Sequence, residues 1–124
     1  MNAMNLALAA YSTSAAPART PRTTEYEAFA RITRLMQSAN SAASNPFADR
    51  ARAIHENRRL WNILATDVAS EGNTLPRELR AQIFYLAEFT DLHSRKVLKQ
   101  NADLQPLIDI NTAIMRGLRN GEVT

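Results

Sequence analysis

The sequence predicts an all-α protein: a small bundle of four main helices, mostly antiparallel, preceded by an N-terminal arm or short helix. Three observations lead there. Ala and Leu supply 34 of the 124 residues and Val only 3. That balance suits helix, where side chains not branched at Cβ lose little rotamer freedom and β-branched ones lose more. Only three Gly are present, too few for a chain of tight β-turns or a Gly-rich phosphate loop. Apolar residues recur at helical spacing through four segments, and short runs of helix-starting or helix-stopping residues separate them. At this length one domain is expected, with residues 1–19 as the arm and 20–124 as the bundle.

The arm is rich in Ala, Ser and Thr, and its apolar positions are Met4, Leu6, Leu8 and Tyr11. The first helix is expected over about 21–43. Thr20 and Pro21 suit a cap and a first helical position, and Thr24 with Glu27 offers a capping box one turn later. Its apolar stripe is Phe29, Ile32, Met36 and Ala39. The second helix, 46–69, opens at Asn45-Pro46 and repeats Phe47, Ala51, Ile54, Trp61, Ala65 and Val68. Gly72 and Asn73 stop it. The third, 76–100, opens at Pro76, with Leu79, Ile83, Leu86, Thr90 and Val97 on one face. The fourth, 104–119, is capped by Asp103 and carries Leu107, Ile110, Ile114 and Leu118, with Gly117 weakening its end.

Charge and residue chemistry exclude more than they assign. Residues 1–66 carry eight Arg against four acids, and residues 67–124 carry seven bases against eight acids. This permits an acidic partner but lacks the dense basic patch of a nucleic-acid binder. No Cys and only two His are present, so ligands for a transition metal are scarce. His55-Glu56 has no second His at Arg59, as a zinc-protease helix would need. No Ser sits between glycines as in a nucleophile elbow. The acids Asp67, Glu71, Glu78, Glu88 and Asp91 read as solvated or ion-paired, Glu88 with Arg95 or Lys96. Neither an enzyme nor a cofactor is expected. No apolar run approaches the ~20 residues that span a bilayer. No base precedes Arg19, so the leading charge of a signal peptide is missing; the chain is read as cytoplasmic.

Two features remain. At about 100° per residue, Tyr85, Phe89 and Leu92 form a second apolar stripe on the third helix, away from Leu79, Ile83 and Leu86. Such a helix is either buried on two sides or offers a groove to another amphipathic helix; a homodimer would use the same face. The other feature is Asn57-Arg58-Arg59-Leu60-Trp61. Arg58 falls on the stripe of Ile54 and Trp61, so it must snorkel or find a carboxylate. Arg59 faces solvent. The cluster reads either as an ion pair beneath the Trp ring or as a partner contact, since Arg and Trp are enriched at interface hot spots.

The run Asn57-Arg58-Arg59-Leu60-Trp61-Asn62-Ile63-Leu64, followed by Asp67, resembles the central block of the flagellar regulator FlaF family. Leu75-Pro76-Arg77-Glu78-Leu79-Arg80 is similar to the opening of the next block. Ile108-Asp109-Ile110-Asn111-Thr112-Ala113-Ile114, with Gly117-Leu118, resembles the closing block. Tyr11 and Pro21-Arg22 fit more loosely, and the likeness covers about residues 20–120.

The resemblance implies a cytoplasmic protein of flagellum assembly that binds flagellin as a secretion chaperone and promotes flagellin synthesis, working with the translational regulator FlbT. The likeness to the export chaperones called FliS is architectural only. Flagellin's terminal segments become helical only when packed in the filament, so their apolar stripes need cover beforehand. A groove built on Tyr85, Phe89 and Leu92, with Trp61 as anchor and Arg58 and Arg59 nearby, would cover one. The arm residues Met4, Leu6, Leu8 and Tyr11 would occupy that groove until flagellin displaces them. The expected partners are flagellin and FlbT, with no small-molecule substrate and no membrane; direct RNA contact is not expected. The alternative is an RNA-binding regulator of flagellin messenger, with Arg19, Arg22, Arg31, Arg34, Arg50, Arg52, Arg58 and Arg59 on phosphates.

Overall fold

The structure, a computed structural model, describes residues 21–41 and 47–120. They form four helices: α1 (Pro21–Ala39), α2 (Phe47–Ala69), α3 (Arg77–Gln100) and α4 (Gln105–Asn120). This is the predicted all-α four-helix bundle. The arm at 1–19, the Thr20 cap and the Asn45-Pro46 opening lie outside the described residues. The first helix ends at Ala39, a turn before the expected 43.

Short connections make sequence neighbours antiparallel. α2 packs along α3, and α1 along α4 and α2, while the α3–α4 seam is the sparsest. The α3–α4 corner is turned by Asn101 in the left-handed conformation (φ 57°, ψ 36°), which Asn tolerates better than most residues. The Ala102 N–H then donates to the Lys96 carbonyl at 3.3 Å. Asp103 acts as the expected cap, its carboxylate accepting from the Gln105 N–H at 2.8 Å. Asn40 at the end of α1 donates to the same carboxylate and accepts from the Leu104 N–H. One carboxamide thus fixes the start of α4 against the end of α1.

The interior has two apolar clusters. One gathers Phe29, Ile32, Leu60, Trp61, Leu64, Val68 and Ile83. The other gathers Met36, Ala53, Ile54, Val97, Leu104, Leu107 and Ile108. Between them every helix contributes a buried polar side chain: Thr33, Asn57, Thr90 with Ser94, and Asn111. Within this layer Trp61 Nε1 donates to Asn111 Oδ1 at 2.9 Å, and Asn111 Nδ2 donates to Asn57 Oδ1 at 2.8 Å.

The expected stripe of α1 is buried as a whole. That of α2 needs correction. Its buried residues are Arg50, Ala53, Ile54, Asn57, Leu60, Trp61, Leu64, Asp67 and Val68. The inward face is therefore rotated by roughly a quarter turn from the expected one, at 100° per residue. Phe47, expected inside, is 62 % exposed. The face was obscured because Arg50, Asn57 and Asp67 occupy it. Arg50 donates to the Ala102 carbonyl at 2.8 Å, and Asp67 accepts from Asn73 at 3.0 Å. Buried polar groups persist when such partners meet them.

Candidate functional site

α3 presents two faces. Ile83, Thr90, Ser94 and Val97 are buried, with Leu79 and Leu86 packed partly against the core. On the outer surface Tyr85 is 68 % exposed, Leu92 51 %, Phe84 44 % and Phe89 36 %. Tyr85, Phe89 and Leu92 therefore stand where their spacing placed them, outside the core. Phe84 was missed. It lies about 100° around the helix from Ile83, among charged positions, where an aromatic is easily taken for an isolated surface residue.

These side chains line a trough between α2 and α3 of about 570 Å³. Asn62 and Ala65 form the α2 wall; Phe84, Tyr85, Phe89 and Leu92 form the α3 wall. Phe89 is held by His93, whose ring stacks on it at 5.8 Å and 9°. His93 Nε2 in turn donates to the Asp103 carbonyl at 2.7 Å. The apolar wall is thereby braced against the α3–α4 corner.

Trp61, expected as an anchor beside the trough, is corrected to a core residue. It is 2 % exposed, meets Phe29 edge-on at 5.9 Å and spends its N–H on Asn111. No partner can reach it in this fold. The residues that carry the family resemblance, Asn57, Trp61 and Asn111, meet in the interior and fix the bundle.

Arg58 finds the carboxylate its position required. It pairs with Asp91 of α3 at 2.6 Å, and Arg95 pairs with the other oxygen at 2.6 Å. Glu88 was expected to pair with Arg95 or Lys96; Arg95 goes to Asp91, one turn away, instead. Burial alone would raise the Asp91 carboxyl. The hydrogen bonds from Arg95 and Arg58, with their charges, outweigh it and hold the group below its ordinary value. Arg59 is exposed and sits 3.8 Å from Glu56. His55, Arg58 and Arg59 line a smaller recess of about 250 Å³, which Asn62 shares with the trough.

The remaining arginines are dispersed. Arg50 is buried on a carbonyl, Arg31 is half-buried, and Arg34 and Arg52 are exposed. Arg19 lies outside the described residues. Among the described residues no three His, Asp or Glu side chains converge to hold a metal ion. None of the described helices is long and apolar enough to cross a membrane.

Fold and trough together define a class: a small all-α bundle that, among the described residues, exposes an apolar face on α3. The chain matches the family described as flagellar protein FlaF over residues 7–118. It belongs to that family, and is a flagellar protein. No curated protein and no solved structure matches it.

Proposed function

We propose that the chain binds flagellin in the α2–α3 trough, as a cytoplasmic secretion chaperone that also promotes flagellin synthesis. It acts by capture of an amphipathic segment, with neither catalysis nor cofactor. The observation that carries this reading is the open face of Phe84, Tyr85, Phe89 and Leu92 on a helix already packed along its other side. A preformed apolar wall of this kind receives the apolar stripe of a partner helix.

Each anchor that a partner covers contributes about 1.5–3 kcal/mol before ordering costs. Three or four supply about 4.5–12 kcal/mol before those costs, a range that brackets the roughly 8 kcal/mol of micromolar affinity. The link to synthesis follows by mass action: a flagellin-loaded chain and a free one present different surfaces to FlbT, so each partner alters the affinity for the other.

Co-expression with flagellin followed by sizing of the purified complex tests the proposal. A stable complex is expected. Replacing both Phe89 and Leu92 with Ala should weaken it at least tenfold, while helicity and cooperative melting stay intact. An undiminished complex would remove the trough from the reading. Affinity should fall only modestly with salt, whereas phosphate binding through many arginines would fall steeply.

A further inference from the structure

The trough continues past Tyr85 toward the start of α3. A second recess of about 450 Å³ is lined by Val68, Arg77, Arg80 and Ala81, and shares Phe84, Tyr85 and Glu88 with the first. From Arg77 to Arg95 the combined channel runs about 27 Å, or roughly five helical turns, at 1.5 Å per residue.

Its two ends differ in how their charge is met. At the far end two arginines, Arg58 and Arg95, are both bound to one carboxylate, Asp91. At the near end Arg77 and Arg80 form no ion pair among the described residues, and Arg80 Nε is buried without a hydrogen-bond partner. The acid of this first turn, Glu78, lies about 100° or more around the helix from both arginines. Two cations at a helix N-terminus also oppose the macrodipole. Their charges cost the isolated fold something and meet no carboxylate in it within the described residues.

We infer that the channel takes an amphipathic helix of about five turns, antiparallel to α3, with its acidic C-terminal end against Arg77 and Arg80. This rests on the docking reading above and adds direction to it. The C-terminal carbonyls and carboxylates of such a helix are negative, and they meet the positive N-terminus of α3 and two guanidinium forks suited to carboxylates. Its apolar stripe covers Phe84, Tyr85, Phe89 and Leu92. In the opposite direction the positive end of the incoming helix would face both arginines.

Two fluorescent synthetic peptides of about 18 residues test this against the full chain by anisotropy. They share one Leu stripe; one carries two Glu in its last turn, the other carries them in its first turn with an amidated C-terminus. The first should bind about tenfold more tightly or better. Arg77→Glu with Arg80→Glu should erase that preference, and a peptide ending in two Lys should then bind best. Equal binding of both peptides, or indifference to charge reversal, would overturn the direction while leaving docking intact if Phe89→Ala still weakens both. If Phe89→Ala changes neither, the docking reading itself fails. A dimer of the free chain that Phe89→Ala dissociates would assign the channel to a second copy and overturn the proposal.

Discussion

Asn111 makes two buried connections with one carboxamide, accepting from Trp61 and donating to Asn57. All three residues are closed to solvent, so water cannot replace either bond. Asn111→Leu would leave an indole N–H and a carbonyl oxygen unpaired, at about 1–3 kcal/mol each. A loss of about 2–6 kcal/mol is expected, a large fraction of a small domain's stability, read as a fall in the urea midpoint at unchanged slope. Asp103 is the second residue with a measurable signature. The Gln105 N–H and the Asn40 carboxamide hold its carboxyl below the ordinary value, against a smaller opposing effect of burial. Folding therefore favours the ionised form. That stabilisation is present above the unfolded value of about 4 and is lost as pH falls through the lower folded one. Asp103→Asn keeps a cap acceptor but removes the charge. The difference in melting temperature between parent and variant should shrink from pH 5 to pH 2.5; a constant difference would show that the carboxylate's charge contributes nothing.

At the scale of elements, the four helices were legible because each carries an apolar repeat between capping or stopping residues. α1 could also be oriented, since Phe29, Ile32, Met36 and Ala39 are buried together and its other face is polar. α2 could not. Its inward face includes Arg50, Asn57 and Asp67, whose partners are the Ala102 carbonyl, Asn111 and Asn73. Periodicity counts apolar residues and has no means of anticipating that a distant chain segment will satisfy a polar one. The same blindness placed Trp61 at the trough: an aromatic beside two arginines looks like an interface anchor, and only the packing of Phe29 and the acceptor on Asn111 reveal the core. The trough was legible for the converse reason. Tyr85, Phe89 and Leu92 are out of phase with the core stripe of their own helix, so no single buried face could hold both sets. Phe84, flanked in phase by charged positions, gave no such conflict.

For the whole molecule, the distribution of burial predicts unequal stability. α2 buries nine of its 23 residues, whereas α3 buries four of 24, and two of those four are Thr90 and Ser94. α3 is held along α2, but its seam with α4 is sparse. The corner link through Phe89, His93 and Asp103 secures only its second half. Local opening draws on the burial a segment contributes, so a helix with few enclosed apolar groups opens at lower free energy than the global transition. Amides in the first half of α3 should therefore exchange with deuterium faster than those at the centre of α2, in the free full-length chain. A docked amphipathic helix would cover Phe84, Tyr85, Phe89 and Leu92 and give α3 the second packed side it lacks. On addition of flagellin, protection should rise most in α3 and the facing turns of α2 around Asn62 and Ala65, and least in α1. Equal protection of α2 and α3 before binding would mean that α3 is fixed by more than its buried residues. Protection that rises on α1 and α4 instead would locate the partner on the opposite side of the bundle.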